Sequence, residues 1–350
     1  MRYETDDVRI AAIKPLIPPA ILMEELPVGE AGSETVAKTR HLIGACLRGD
    51  DKRLVAVVGP CSIHDTNAAL EYAERLREQA VRFAEDLLIV MRVYFEKPRT
   101  SVGWKGLIND PLIDGSFNIN QGLHVARGLL CQLADLGMPA GCEFLDTIMP
   151  QFLADLVSWG AIGARTTESQ IHRELASGMS CPMGFKNATT GSVQVAIDAI
   201  EAARHAHHFL SVTKQSVAAI VATQGNPECH VIMRGSNQGP NYDAENLASA
   251  SKLLKQQHLN PRLMVDCSHG NSHKIPSNQI TVAETLAAQI ATNQGTVFGV
   301  MIESNLVAGR QEIAQGRELV HGQSITDACL GWEDTVTVLE TLAAAVRKSA

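Results

Sequence analysis

Six basic side chains, Arg92, Lys97, Arg99, Arg165, Lys186 and Arg234, stand out in a chain whose formal net charge is −8. Four basic residues and one acid, Glu96, fall between Met91 and Lys105. Arginine forks match phosphate and carboxylate oxygens in bidentate geometry, and lysine acts as a mobile point charge. Together they suit a small molecule carrying several negative charges. A second set, Cys61, His269, Glu303 and Asp327, offers a thiolate, an imidazole and two carboxylates. That mixed softness suits Mn²⁺, Fe²⁺, Co²⁺ or Zn²⁺ and does not suit Ca²⁺ or a dedicated Mg²⁺ cage. Donors scattered from 61 to 327 make no local motif, and a small cysteine after Gly59-Pro60 is more often core than ligand. Only the elements that carry these residues can make them one site.

From Leu54 onward, short apolar runs alternate with longer segments of helical period. The runs are Leu54–Val58, Leu87–Val93, Ala140–Phe144, Ala161–Ala164, Pro182–Phe185, His230–Met233, Leu263–Cys267 and Val297–Ile302. Amphipathic stretches between them include Thr66–Phe83, Asn118–Leu136 and Ser192–His205, with Gly137 as the C-cap of the second. Eight β-then-α units around one core predict an α/β fold, the (β/α)₈ TIM barrel. A further apolar pair, Phe209–Val212 and Val217–Ala222, reads as a β-hairpin at about 207–223 inserted in the fifth β-to-α passage. Residues 1–51 form an N-terminal extension that Pro15, Pro18, Pro19 and Pro27 should break into short pieces. It is expected to pack on the barrel, residues 52–350, or on a neighbouring subunit.

Active sites of such barrels lie at the C-terminal ends of the strands. Cys61 follows the first run, Arg92 closes the second, Glu143 the third, Arg165 the fourth, Lys186 the fifth and Arg234 the sixth. His269 follows the seventh, Glu303 the eighth, and Asp327 lies in the loop beyond. One charge at a strand end is commonplace, whereas polar or charged residues at eight equivalent ends point to a shared site.

Bulk properties narrow the classes. A chain of 350 residues with 45% hydrophobic residues suits one barrel-sized domain or two smaller domains. The acidic balance, with a pI near 5.8, argues against nucleic acid or an anionic membrane as partner. No apolar run with a cleavage site opens the chain and no segment has transmembrane length, so a cytoplasmic protein is expected. Eight cysteines without a CxxC pair are expected as reduced thiols. GxGxxG, P-loop, HExxH and GxSxG motifs are missing, which leaves nucleotide-binding and serine-hydrolase readings unsupported.

Longer blocks carry a resemblance. Gly59-Pro60-Cys61-Ser62-Ile63-His64, Arg92–Thr100, Gly103-Trp104-Lys105-Gly106, Gly163–Ser169, Gly184-Phe185-Lys186-Asn187, Asp266-Cys267-Ser268-His269 and Ser324–Ala328 resemble the type I, microbial 3-deoxy-D-arabino-heptulosonate 7-phosphate (DAHP) synthases. The resemblance implies a transferase, 3-deoxy-7-phosphoheptulonate synthase, that condenses phosphoenolpyruvate with erythrose 4-phosphate and water at the head of the shikimate pathway. It implies one divalent metal ion per subunit on Cys61, His269, Glu303 and Asp327. Phosphoenolpyruvate would meet Arg92, Lys97, Glu143, Ala164, Arg165, Lys186 and Arg234, and erythrose 4-phosphate would meet Lys97, Pro98, Arg99, Thr100 and Asp327. Lys97, Cys61 and His269 are the implied catalytic residues; Lys97, His269 and a water on the metal stay open as acid or base.

The resemblance also implies a homodimer or homotetramer inhibited by an aromatic amino acid, phenylalanine or tyrosine. The effector would bind among Pro150, Gln151, Ser180, Phe209, Ser211 and Val221, with Asp6 and Asp7 from a neighbour's N-terminal arm. Two other readings compete: a related metal-dependent 3-deoxy-sugar-acid phosphate synthase or aldolase on the same barrel, and a non-catalytic amino-acid sensor. The Lys97-Pro98-Arg99-Thr100 block and the long extension argue against the first. The presence of every metal and phosphate residue argues against the second.

Overall fold

The computed structural model describes residues 3–99, 102–292, 295–314 and 318–349. After an extended arm come α1 (Pro19–Glu25), α2 (Glu30–Arg48), β1 (Leu54–Gly59), α3 (Thr66–Arg82), β2 (Leu87–Arg92), α4 (Ile119–Asp135), β3 (Ala140–Glu143), α5 (Pro150–Leu153) and β4 (Val157–Ile162). Then follow α6 (Gln170–Ser177), β5 (Met183–Lys186), α7 (Gln194–Ala203), β6 (His208–Val212), β7 (Ala218–Ala222), β8 (Cys229–Met233) and α8 (Ala244–Gln256). The chain ends with β9 (Leu263–Asp266), α9 (Asn278–Ala291), β10 (Val297–Glu303), β11 (Val307–Arg310), β12 (Gln323–Ser324) and α10 (Trp332–Ser349).

Strands β1, β2, β3, β4, β5, β8, β9 and β10 pair in that order and close into a parallel barrel. Side chains alternate across each strand. Along β1, Leu54, Ala56 and Val58 pack outward against the helices, while Val55 and Val57 join Val90, Trp159, Ile232, Met264 and Met301 inside. Both faces are covered, which is why the parallel strands read as continuous apolar runs. Leu88 and Val90 point inward, so Arg92, two residues on, also points inward, at the C-terminal mouth.

Three expectations need correction. The fourth strand is Val157–Ile162, earlier than expected. Ser158 and Gly160 interrupt the apolar run, yet Gly160 is needed, because a Cβ there would stand 2.3 Å from Met183 Sδ. Arg165 therefore lies on the turn beyond the strand. The hairpin β6–β7 follows α7, so it occupies the fifth helix-to-strand passage, at the end of the barrel away from the strand termini that carry the charges. The extension is not wholly fragmented. Its prolines all precede residue 28, and from Glu30 one 19-residue helix, α2, runs to a left-handed Gly49 cap. Ile43, Cys46 and Leu47 of α2 join the inner core and close the barrel floor.

Candidate active site

Strand register brings the sulfur and the carboxylates together. Gly59 of β1 pairs with Glu303 of the adjacent β10, so Cys61, two residues on, lies beside Glu303 at the barrel mouth. The loop after β10 then folds back: Leu330 N–H donates to Glu303 O, and Ser62 and Thr326 share a 2.7 Å hydroxyl hydrogen bond. Those two hydroxyls sit beside Cys61 and Asp327, and the Cys61 thiol donates to Asp327 Oδ2 at 3.7 Å. One donor atom from each of Cys61, Glu303 and Asp327 lies within 4.8 Å of the others, a cluster that could hold a metal ion. His269 stands outside that mutual cluster, but its Nε2 lies 3.8 Å from Glu303 Oε1.

The imidazole is held from behind. Its Nδ1 is 2.9 Å from Asp266 Oδ2 and 2.6 Å from Ser268 Oγ, leaving Nε2 turned toward the donors. A carboxylate behind a ligating histidine fixes its ring and raises its basicity. Thiolate, imidazole and two carboxylates fit a borderline divalent ion. Burial and then Glu303 push the Cys61 thiol up, so a cation, which favours the thiolate, has to assist its deprotonation. Burial also opposes ionisation of Asp327, but Lys97, His269 and Lys274 outweigh it and hold its pKa below the usual carboxylate value.

Beside this cluster lies a cavity of about 280 Å³ lined by Arg92, Lys97, Pro98, Arg99, Glu143, Ala164, Arg165, Lys186, Arg234, His269 and Asp327, together with Val102, Gly163, Thr189 and Lys274. Every described residue assigned to phosphoenolpyruvate is there, as are Pro98 and Arg99; Thr100 lies outside the described residues. Arg92 is fully buried, pairs with Glu303 at 2.9 Å, donates to Pro60 O and Cys61 O, and stacks on Tyr94 with Cζ 3.6 Å from the ring centroid. Lys186 pairs with Asp266 at 3.1 Å. Burial opposes the Asp266 charge, yet Lys186, His269 and Arg92 hold its pKa well below the usual value. Lys97 Nζ lies 3.1 Å from Cys61 Sγ and 3.2 Å from Cys61 O, at the junction of the two sets. Burial lowers the pKa of Arg234, which keeps no carboxylate within ion-pair distance among the described residues.

Sequence reasoning missed three contributors. Asp266, at the end of β9, binds both Lys186 and His269, but it ends a run of apolar letters and looked like strand. Lys274 and Thr189 line the cavity from loops whose polar composition is ordinary. For Lys274 the available signal was its place five residues after His269.

The residues assigned to an effector gather elsewhere. Pro150, Gln151, Ser180, Phe209, Ser211 and Val221 all line a cavity of about 410 Å³, with Met23, Arg40, Asp155 and Lys214 among its other walls. Phe209 and Val221 are cross-strand partners in the hairpin, and Ser211 shares their face. Asp6 and Asp7 lie in the exposed arm and do not line this cavity within one chain.

A closed parallel barrel whose strand ends hold an anion-binding cleft beside a thiol and carboxylate cluster defines a class: barrel enzymes that join or cleave phosphorylated small molecules next to a metal. Residues 31–340 match the DAHP synthetase I family, and the chain belongs to that family. It is 55% identical over 347 residues to the Phe-sensitive phospho-2-dehydro-3-deoxyheptonate aldolase of Escherichia coli (strain K12), covering 99% of each chain. It is 51% identical over 346 residues to the tyrosine-inhibited enzyme of that name from Schizosaccharomyces pombe, covering 98% of this chain and 93% of the other. A solved phospho-2-dehydro-3-deoxyheptonate aldolase from Francisella tularensis SCHU S4 superposes with a TM-score of 0.96 at 53% identity, covering 97% of this chain and 99% of that one.

Proposed function

We propose that this chain is a feedback-regulated DAHP synthase, condensing phosphoenolpyruvate with erythrose 4-phosphate and water to give DAHP and phosphate. The observation that carries the reading is the single cleft in which Arg92, Lys97, Arg165, Lys186 and Arg234 stand beside Cys61, Glu303 and Asp327. A divalent ion held by Cys61, His269, Glu303 and Asp327, of the Mn²⁺, Fe²⁺, Co²⁺ or Zn²⁺ kind, would polarise the aldehyde carbonyl when bound. Arg165, Arg234, Lys186 and Arg92 hold the phosphate and carboxylate of phosphoenolpyruvate at the base of the cleft, with Glu143 and the Ala164 backbone setting its orientation. Two substrates that repel each other are thereby fixed with C3 of phosphoenolpyruvate facing the aldehyde carbon. As the C–C bond forms, Lys97 delivers the proton to the aldehyde oxygen. The positive charge that develops at C2 is offset by the phosphate and carboxylate of phosphoenolpyruvate and by Glu143, while the surrounding cations hold those anionic groups in place. Water adds at C2, and phosphate leaves with cleavage of its C–O bond.

The aromatic effector binds between the hairpin and α5, where phenylalanine or tyrosine meets Phe209, Ser211 and Val221. Leu210 and Ile220 pair on the opposite hairpin face and are 86% and 74% exposed. That apolar face, with Val8, Ile10 and Ile13 of the exposed arm, supports assembly into a homodimer or homotetramer, in which Asp6 and Asp7 would reach a neighbour's cavity. Among the described residues no helix is long and apolar enough to cross a membrane.

The test is phosphoenolpyruvate consumption with erythrose 4-phosphate before and after chelation and Mn²⁺ re-addition, on wild type and Cys61→Ala, with each aromatic amino acid in turn. Turnover that chelation removes, Mn²⁺ restores and Cys61→Ala lacks is the expected result. A wild type inert with every divalent ion overturns the reading.

A further inference from the structure

The cations of the cleft are held in place in two different ways. Arg92 and Lys186 are anchored through their side chains by buried carboxylates, Glu303 at 2.9 Å and Asp266 at 3.1 Å. Arg234 is buried and lines the same cavity, yet its guanidinium has no ion-pair or hydrogen-bond partner among the described residues. Its backbone, by contrast, is fixed at every polar atom. Arg234 N–H donates to Asn187 Oδ1 at 2.8 Å, and Arg234 O accepts from Gly270 N–H at 3.1 Å. Gly235 N–H donates to Asn241 Oδ1 at 2.8 Å, and Gly235 O accepts from Asn187 Nδ2 at 3.0 Å.

The asparagines that do this are joined to one another. Asn241 Nδ2 donates to Asn187 Oδ1 at 3.2 Å, and Asn241 N–H donates to Asn271 Oδ1 at 2.8 Å. Asn271 Nδ2 in turn donates to Met233 O and to Asp266 O. Asn187, Asn241 and Asn271 are 0%, 8% and 2% exposed. Amides buried this deeply are costly unless their donors and acceptors are used, and here every amide nitrogen and oxygen has a partner. The three tie together the loops that follow β5, β8 and β9, the strand ends that carry Lys186, Arg234 and Asp266. Gly235 lets those loops close: its φ is 71°, and a Cβ there would stand 2.5 Å from Asn271 N.

We propose that Asn187, Asn241 and Asn271 are positioning residues of the reaction, which hold Arg234 ready for phosphoenolpyruvate through its backbone, as carboxylates hold Arg92 and Lys186 through their side chains. This deepens the synthase reading above and rests on it. The reason for two devices is charge. A carboxylate anchor offsets part of the field of the cation it holds, whereas neutral amides fix the Cα and leave the whole charge for the anionic substrate. A guanidinium without a partner of its own also follows every shift of its backbone, so the amides set where it points.

Steady-state kinetics of Asn241→Ala and Arg234→Lys, singly and combined, decide it, with phosphoenolpyruvate and erythrose 4-phosphate each varied. Asn241→Ala should raise KM for phosphoenolpyruvate roughly ten- to a hundredfold through misplacement of the fork, while KM for erythrose 4-phosphate moves by less than about twofold. Lysine presents a mobile point charge that needs no fixed fork. In the Arg234→Lys background Asn241→Ala should therefore add less than about threefold to KM for phosphoenolpyruvate. Effects that multiply in the double variant overturn the proposal, because Asn241 would then act independently of Arg234. An unchanged KM for phosphoenolpyruvate in Asn241→Ala overturns it too, as does an equal rise in both KM values, which marks a general loosening of the barrel mouth. Should Asn241→Ala yield no folded protein, Asn241→Ser carries the same cycle, since its shorter hydroxyl cannot span both Gly235 N–H and Asn187 Oδ1. A wild type that consumes no phosphoenolpyruvate overturns the synthase reading itself, a result distinct from all of these.

Discussion

The cleft at the strand ends and the cavity under the hairpin are both lined by charged groups, yet they compensate charge in opposite ways. In the cleft, charge meets charge inside the protein: Arg92 with Glu303, and Lys186 with Asp266, every member no more than 3% exposed. In the lower cavity Arg40 spends its guanidinium on the carbonyls of Ala154 and Val157, and Lys214 donates to Gln151 O. Fixed ion pairs in a buried setting preorganise a site for charge that moves during reaction. Cations satisfied by backbone carbonyls leave a cavity suited to a ligand of low net charge, such as an amino acid. The walls differ too. The cleft is built on the closed barrel, whereas the lower cavity is walled by a two-stranded ribbon and a four-residue helix that can shift with little loss of structure.

The largest effect expected from breaking this contrast is Glu303→Ala. It removes a donor and leaves Arg92 charged and buried without a carboxylate. Activity should fall well beyond the roughly 100-fold of an outer-layer change at a metal site, and urea denaturation should show a loss of about 3–5 kcal/mol. A variant of normal stability would mean that Arg92 finds another anion.

Asp266→Asn sharpens the same point at smaller cost. The amide keeps shape while removing the charge that holds Lys186 and orients His269. Metal affinity and kcat should each drop roughly 10–100-fold, read by metal titration and kinetics. Equal metal affinity in the variant would detach His269 from the donor set.

That Asp266 needed the structure to be noticed shows what sequence can carry. Strands buried on both faces leave unbroken apolar runs, so the barrel was legible, and so were the charges where each run stops. Ser158 and Gly160 broke the fourth run: both face outward from the barrel, and at Gly160 only a hydrogen fits against Met183 and Phe144. The hairpin was legible as a ribbon, but its passage was misassigned although a helix preceded it. Asp266 and Lys274 act through tertiary neighbours, Lys186 and His269 for one and the cavity wall for the other, and nothing local distinguishes them from a strand end and a loop lysine. The effector residues were visible only through the family resemblance. They converge in space because cross-strand pairing puts Phe209 beside Val221.

Phe209→Ala tests the other half of the contrast. The inhibitory amino acid should be needed at roughly tenfold higher concentration for half inhibition, from lost aromatic and apolar contact, while kcat without effector changes less than about twofold. A dose–response curve identical to wild type would move the effector out of this cavity.

The smallest effect concerns how the cleft's loop is held. Glu96 is buried and accepts backbone N–H bonds from Leu145 and Asp146, tying the segment that carries Lys97 to the loop after β3. Burial pushes its pKa up from 4.5 to about 7, against the pull of those amides. The folded state therefore holds a proton that the unfolded chain has released. The resulting stabilisation is complete below the unfolded pKa near 4.5 and is lost as pH rises through about 7. A gap of this size is worth at most about 3 kcal/mol. Glu96→Gln, neutral at every pH, should match wild type in Tm at about pH 4 and exceed it by a few degrees at about pH 8. Parallel Tm profiles would mean that the carboxyl ionises as freely in the folded protein as in the unfolded one, and the loop that carries Lys97 would then be held by its backbone bonds alone.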